Sequence, residues 1–99
     1  MSIYDPDLIS PHTARLDYLL RIVGDEVLRA MDAFPPIASP HEGKAVIEEE
    51  LDELWKEVKA NRGRADDAMT EARQIAAMAV RYMLDLAAPP PGFEEGGKR

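Results

Sequence analysis

The stretch that decides the fold is Glu48-Glu49-Glu50-Leu51-Asp52-Glu53-Leu54-Trp55, which carries five acidic residues in the six positions 48–53. Apolar side chains run through it and around it at helical spacing, at Ile47, Leu51, Leu54 and Val58. This spacing predicts an amphipathic helix whose apolar stripe faces a core. Since residues three and four apart are neighbours on a helix, Glu50, Glu53 and Glu57 are expected along one edge of the stripe.

The density of acids in this stretch allows two interpretations. Closely spaced carboxylates repel one another, so a purely structural helix gains little from them. The acids form either a solvated face or a site for a hard cation such as Mg²⁺, which takes oxygen ligands and keeps several of its waters. The stretch alone leaves both interpretations open.

Length and composition limit the class of protein. A chain of 99 residues predicts a single domain with a modest core, so self-association is expected. The formal net charge of −7 argues against a nucleic acid or an anionic membrane as the main partner. The chain has no cysteine, which excludes disulfide and thiolate chemistry. With no secretory signal pattern and no apolar run that could span a bilayer, a soluble cytoplasmic protein is the expectation.

The pattern predicts an all-α fold with three main amphipathic helices, at about residues 12–34, 40–60 and 67–87. Residues 1–87 are expected to form one helical domain, and residues 88–99, rich in proline and glycine, a flexible tail. No stretch has the alternation that is typical of a strand.

Local signals mark the helix ends. Pro35 and Pro36 are expected to end the first helix, because proline disfavours helical geometry in the preceding residue. Ser39-Pro40-His41-Glu42 has the pattern of a capping box at the start of the second helix. Gly63 suits a left-handed cap after the second helix, and Asp66 or Asp67 suits the N-cap of the third.

The apolar stripes of the other two helices predict an oligomer. The first stripe holds Leu16, Leu20, Val23, Val27, Met31 and Phe34, and the third helix holds Ala72, Ile75, Ala79, Tyr82 and Leu86. Three long stripes cannot all be covered within one isolated layer of helices. We therefore expect a homodimer or homotetramer, with a four-helix-bundle core made from helix pairs of two chains. Glu26 lies at the edge of the first stripe, where a surface ion pair with an arginine is favoured over membership of an acidic site.

The short link between the second and third helices predicts antiparallel neighbours. Such a hairpin brings Glu50 and Glu53 to the level of Glu71 and Gln74, near the start of the third helix. Three carboxylates and one amide oxygen would then surround a common point.

This pattern resembles the MazG-like all-α nucleoside triphosphate pyrophosphohydrolases of the small phage and bacterial type. Their signature is Glu-Glu-x-x-Glu on one helix and Glu-x-x-Asp on the next. Glu49-Glu50-Leu51-Asp52-Glu53 matches the first half in full, and Glu71-Ala72-Arg73-Gln74 matches the second half except at its last position. The resemblance covers roughly residues 13–87.

The resemblance implies a metal-dependent hydrolase that converts a nucleoside triphosphate to the monophosphate and pyrophosphate. It implies Mg²⁺, with Mn²⁺ as an alternative, on the metal ligands Glu50, Glu53, Glu71 and Gln74. It implies catalytic roles for Glu49, Glu50 and Glu53, in which Glu49 binds a second ion or orients a water. Gln74 stands where the family has a carboxylate; its amide oxygen can bind a hard cation but brings no charge, which weakens the expected site.

Other interpretations stay open at this point. A non-catalytic helical interaction protein that keeps the fold, or a protein that binds a nucleotide without cleaving it, fits the same pattern. The substrate-binding residues and the base specificity are not readable; the basic candidates for phosphate contacts are Lys44, Lys56, Arg73 and Arg81.

Overall fold

The structure of the protein, a computed structural model, describes residues 10–87 and shows three α-helices and no strand in that range. The helices are α1 (Pro11–Ala33), α2 (Pro40–Lys59) and α3 (Asp66–Leu86). The predicted all-α class with three helices is therefore confirmed, and each predicted end lies within one residue of the observed end. The predicted tail at 88–99 lies outside the described residues, as do residues 1–9.

Serine side chains cap the first two helices. Ser10 is the N-cap residue of α1 and Ser39 that of α2, and each hydroxyl oxygen accepts a hydrogen bond of 3.1 Å from the backbone N–H three residues later. The carboxylate of Glu42 reaches back and accepts a hydrogen bond from the backbone N–H of Ala38 at 2.6 Å. These contacts satisfy N–H groups that have no partner inside the helix, so the sequence itself determines where both helices begin.

Two predicted caps are wrong in detail. The N-cap residue of α3 is Ala65, which makes no side-chain cap bond, while Asp66 and Asp67 lie in the first turn. Their charges still favour the helix start, because the N-terminal end of a helix carries partial positive charge. The residue with positive φ after α2 is Asn61, at 62°, rather than Gly63. Asparagine tolerates this region better than most residues with a side chain.

α1 runs parallel to α3 and packs along it. The side chain of Gln74 donates a hydrogen bond to Glu26 at 2.8 Å, and further along both helices Arg81 donates to the carbonyl oxygen of Pro35 at 2.8 Å. Residues later in the sequence of α1 and its linker therefore contact residues later in the sequence of α3, so the two helices run in the same direction.

α2 runs antiparallel to α3, as the short link predicts. Gly43, at the start of α2, lies against the ring of Tyr82 near the end of α3. Glu50, half-way along α2, lies beside Glu71 near the start of α3. Within residues 10–87, α3 contacts both other helices while α1 and α2 do not pack against each other. The consequence is a cleft between α1 and α2.

The buried core is small. Val27, Ala30, Ala77 and Met78 form it, and the partly buried side chains that pack against it are Val23, Val46, Ile47 and Val80. The face of α3 that was predicted to be the core stripe is only partly covered, and the residues of α3 that are buried are Ala68, Ala77, Met78 and Arg81. Because α3 is sandwiched between two helices, its most buried side chains turn toward α1 as well as α2, and the predicted stripe apart from Ala72 is half-buried in one chain.

Large apolar side chains remain exposed to an extent of 44–63% in this single chain. From the predicted stripes they include Leu16, Leu20, Met31, Phe34, Leu51 and Val58. A shallow apolar groove of about 530 Å³ runs between α2 and α3 on the side away from α1. We call this surface the outer groove; its lining residues are Lys44, Ile47, Glu48, Leu51, Ala79, Tyr82 and Met83.

Among the residues that the structure describes, none of the helices combines the length and the apolar character needed to cross a bilayer.

Candidate functional site

A cleft of about 340 Å³ opens between α1 and α2, with α3 as its floor. We call it the inner cleft. The linker after α1 closes one end with Phe34, Pro35 and Ile37. Its polar lining includes Glu26, Arg29, Glu49, Glu50, Gln74 and Arg81. All three helices therefore contribute polar side chains to one concave surface.

Glu26 is the buried carboxylate of this cleft, with 6% of its surface exposed. One of its oxygens accepts the hydrogen bond from Gln74, and the other pairs with Arg29 and lies 3.8 Å from Nε of Arg73. The expected arginine partner is therefore present, but the expectation of a surface pair is wrong. A buried charge is costly unless it is paired and hydrogen-bonded, and these contacts supply both conditions.

Glu50 and Glu71 are brought together across the α2–α3 hairpin. Their carboxyl groups lie within hydrogen-bonding reach of each other. Burial raises the pKa of Glu50, and it is raised further by the hydrogen bond that the protonated carboxyl of Glu50 donates to Glu71 and by the negative charges of Glu71, Glu49 and Glu53. Both the low polarity around the group and the nearby like charges disfavour its ionised form. Ionisation of both Glu50 and Glu71 is therefore electrostatically unfavourable in the folded protein.

The other predicted site residues are arranged more loosely. Glu49 is an exposed residue of the inner cleft, and Glu53 is exposed, with its carboxylate accepting a hydrogen bond from Lys56 at 3.2 Å. Gln74 lies on the cleft floor, where its amide is engaged by Glu26. Within the part of the chain from 10 to 87, no three histidine, aspartate or glutamate side chains are arranged so that they could hold a metal ion.

Arg81 and Asp85 form a latch that fixes the linker at the end of the cleft. Arg81, with 4% exposure, donates to the carbonyl oxygen of Pro35 at 2.8 Å. Asp85 accepts a hydrogen bond from the backbone N–H of Ile37 at 2.8 Å and lies 3.9 Å from the guanidinium of Arg81. Arg81 was a phosphate-binding candidate from the sequence, and the structure commits part of its guanidinium to the linker.

The remaining basic candidates differ in their surroundings. Lys44 pairs with Glu48 at 3.1 Å, and Lys56 pairs with Glu53. Arg29, which sequence reasoning missed, lines the inner cleft with 67% of its side chain exposed. Nothing in the local sequence marks Arg29, because its position at the cleft follows from the packing of α1 on α3.

Similarity to known proteins adds nothing to this geometry. No family model, no curated protein and no solved structure matches this chain.

The inner cleft carries charges of both signs. Its α2 wall carries Glu49 and Glu50, while the wall opposite carries Arg29, paired with Glu26, and Arg81, beside Asp85. Such a cleft suits a ligand that combines an anionic group with a bound cation, because the cation can meet the α2 carboxylates and the anionic group can meet an arginine. A carboxyl group such as that of Glu50, whose pKa is raised by burial and by a neighbouring carboxyl beside a cleft, is a common feature of functional sites.

Proposed function

We propose that this protein is a metal-dependent nucleotide pyrophosphohydrolase, which cleaves a nucleoside triphosphate to the monophosphate and pyrophosphate. The observation that carries the proposal is the Glu50–Glu71 carboxyl pair beside a cleft that contains arginines. A divalent cation at the pair would remove the repulsion that raises the pKa of Glu50. The resemblance of Glu49–Glu53 to the signature of MazG-like hydrolases supplies the reaction.

The glutamate side chains at this site are of the chemical type that binds Mg²⁺, since carboxylate oxygens are the ligands that this ion prefers. Glu50 and Glu71 already lie together, and Glu53 is exposed, so its side chain is free to turn from Lys56 toward them. These three residues would hold Mg²⁺ or Mn²⁺; Gln74 joins them only when its amide leaves Glu26. A bound ion would neutralise phosphate charge and lower the pKa of an attacking water.

The chain's own side chains provide the remaining functions of the site. Glu49 is exposed in the cleft and is not part of the Glu50–Glu71 pair. Its carboxylate could therefore orient a water molecule or accept a proton from it. Arg29 is exposed enough to leave Glu26 and meet a phosphate oxygen in a charge-assisted hydrogen bond. The inner cleft would hold the nucleoside part of the substrate.

A second copy of the chain is proposed to cover the outer groove. Leu51, Trp55 and Met83 are all more than half exposed along this side of α2 and α3. The alanine at 79 leaves room for close approach of another helix. A homodimer with a four-helix core from α2 and α3 of both chains would bury these side chains, and a homotetramer would extend the same arrangement.

The second candidate function is a non-catalytic helical protein that binds a partner or a nucleotide. Two observations favour it: Gln74 is held by Glu26, and residues 10–87 contain no ready set of three metal ligands. Under this alternative, nucleotide binding occurs without turnover, or does not occur at all.

Pyrophosphate release separates these functions. A panel of nucleoside triphosphates is incubated with the protein, with and without Mg²⁺ or Mn²⁺. We expect metal-dependent release that falls about 100-fold or more in Glu50→Gln and in Glu71→Gln. The matched control is Glu48→Gln, on the same helix but paired with Lys44, which should stay within about twofold of the wild type. A folded protein that releases no pyrophosphate from any substrate would favour the alternative.

A further inference from the structure

Two arginines approach the same oxygen of the buried Glu26. Its Oε1 accepts a hydrogen bond from Arg29, and Nε of Arg73 lies 3.8 Å from the same atom. Oε2 accepts the hydrogen bond from Gln74 at 2.8 Å, which fixes the carboxylate against α3. Arg29 is therefore the arginine that pairs with Glu26 in this structure, and Arg73 lies close to the same oxygen without bonding to it.

Nε of Arg73 is a buried donor whose hydrogen bond is not made. It has no hydrogen-bond partner within residues 10–87. Proteins pair nearly all of their buried polar groups, so an unpaired buried donor calls for a physical explanation. The distance to Oε1 of Glu26 is about 1 Å longer than a typical N–H···O hydrogen bond. A small shift of the Arg73 side chain would therefore complete a bond to Glu26, provided that Arg29 had left that oxygen.

The two arginines differ in where their side chains lie. Arg29 lines the inner cleft with 67% of its side chain exposed, whereas Arg73 is 34% exposed and is not among the residues that line the cleft. Arg29 is thus the one placed to turn toward a ligand phosphate. Its departure alone would leave a carboxylate of 6% exposure without a close cation, which is strongly unfavourable. Release of Arg29 therefore requires a replacement cation for Glu26.

We propose that Arg73 is a positioning residue that replaces Arg29 on Glu26 when Arg29 turns to a phosphate group of the ligand. The inference rests on the proposed function in that it takes the ligand to carry phosphate groups. The exchange keeps Glu26 paired with one arginine in both states, so that phosphate binding leaves no buried carboxylate unpaired. Arg73 acts on the ligand only through Glu26 and Arg29.

The exchange is first tested without a ligand, by chemical denaturation of the full chain. Arg29→Met and Arg73→Met should each raise the unfolding equilibrium constant by less than about tenfold, because the other arginine still pairs with Glu26. The double variant should exceed the product of these two effects by about tenfold or more, since neither arginine is then left for Glu26. In the matched control, Arg21→Met combined with Arg73→Met, the effects should multiply, because Arg21 pairs with Asp17.

NMR of the arginine Nε–H groups labelled with nitrogen-15 reports the exchange directly. In ligand-free Arg29→Met, the Arg73 Nε proton should move downfield and exchange more slowly with water than in wild type, because it gains Glu26 as its acceptor. Inorganic tripolyphosphate with Mg²⁺, the phosphate chain that every nucleoside triphosphate shares, should move the same signal downfield in wild type. A purely structural arginine would keep its signal unchanged on ligand addition.

The binding affinity shows whether the exchange serves the ligand. By calorimetry, Arg73→Met should bind tripolyphosphate with Mg²⁺ on the order of tenfold more weakly than wild type. The same substitution made in Arg29→Met should change the affinity less than about twofold, since Arg29 is then absent from the site. Arg64→Met, which removes an exposed arginine just before α3, controls for the loss of charge and should stay within about twofold of wild type.

Several results would each overturn the inference: multiplicative effects in the double variant, an Arg73 signal that is the same in Arg29→Met and wild type, no binding of tripolyphosphate, or full affinity in Arg73→Met. The NMR comparison requires only the single variant, so it decides the matter if the double variant does not fold. Neither turnover nor a particular base is needed, so the two proposals fail separately. The exchange without pyrophosphate release contradicts the hydrolase alone, and pyrophosphate release with multiplicative effects contradicts the exchange alone.

Discussion

The inner cleft and the outer groove differ in a way that inverts the usual arrangement of a small protein. The inner cleft encloses charged side chains, with Glu26 and Arg81 among the most buried residues of the described chain. The outer groove leaves large apolar side chains open, including Leu51 and Met83. Both surfaces are bounded by α3, so the same helix separates a buried polar site from an exposed apolar one.

The two surfaces differ in how far one chain satisfies them. The most buried carboxylate of the cleft, Glu26, has its partners within the chain, in Gln74 and Arg29. The apolar side chains of the groove have no such partners among the described residues, and contiguous exposed apolar surface typically marks an interaction site. We therefore expect changes in the cleft to affect folding and ligand binding, and changes in the groove to affect association.

The largest expected effect comes from breaking the Arg81–Asp85 latch. Arg81→Met leaves the carbonyl of Pro35 and the carboxylate of Asp85 without their cationic partner, and should lower the free energy of unfolding by about 3–5 kcal/mol. The matched control is Arg21→Met, which removes the partner of Asp17 from an exposed pair with the same spacing and should cost less than about 1 kcal/mol. Chemical denaturation measures both. Equal losses of unfolding free energy in the two variants would show that burial of the Arg81–Asp85 pair does not increase its contribution to stability.

The next effect concerns association through the outer groove. Leu51→Arg places a charge on an exposed apolar position and should weaken self-association by about 2 kcal/mol, roughly 30-fold in the dissociation constant. The isolated fold should tolerate it, because Leu51 is half exposed. Ala45→Arg, at an exposed position on a different side of α2, is the control and should leave association unchanged. Sedimentation equilibrium at micromolar protein concentration provides the measurement. A wild type that is already monomeric would rule out the groove as a dimer surface.

A smaller effect concerns the close approach of α2 to α3. In Gly43→Ala the new Cβ would overlap the ring of Tyr82, with Cε2 at 2.7 Å, so the free energy of unfolding should fall by about 1–3 kcal/mol. Gly24→Ala meets nothing within 4 Å and should stabilise the helix by up to about 1 kcal/mol. Thermal or chemical melts of the two variants should therefore shift in opposite directions. A stabilised Gly43→Ala would contradict the observed packing.

The smallest expected effect is on the carboxyl pair. Because the folded pKa of Glu50 is raised, its contribution to stability is present at low pH and is lost as the pH rises from about 4.3 through the raised value. Glu50→Gln should therefore stabilise the cation-free protein near neutral pH by about 0.5–1 kcal/mol and flatten the pH dependence. Melts from about pH 4 to about pH 8 in the presence of a chelator test this. Added Mg²⁺ should stabilise wild type and not Glu50→Gln; the reverse would argue against a cation at the pair.

Much of the fold could be predicted because its determinants are local. Ser39 and Glu42 fix the start of α2, and Pro35 and Pro36 end α1, each through contacts within a few residues. The pairing of Glu50 with Glu71 also followed from the sequence, since a short link forces α2 and α3 to run antiparallel. These inferences needed only helix geometry and the length of one connection.

The inner cleft could not be predicted in the same way. The contact between Glu26 and Gln74 joins residues that lie 48 positions apart, and it depends on α1 running parallel to α3. No periodicity in either helix encodes that choice. The same packing decides that α3 buries Ala77 and Met78, and it brings Arg29 to the cleft. Sequence reasoning therefore located the acids correctly on their helices and missed the side chains that α1 places opposite them.

The identity of the reaction products tests the proposed hydrolase activity most directly. Wild-type protein is incubated with Mg²⁺ and each nucleoside triphosphate of the panel in turn, and the mixture is followed by phosphorus NMR. We expect signals of the monophosphate and of pyrophosphate, growing together and in equal amounts. Signals of the diphosphate with orthophosphate would show cleavage at a different bond, and a folded protein that leaves every triphosphate of the panel unchanged would contradict the hydrolase proposal.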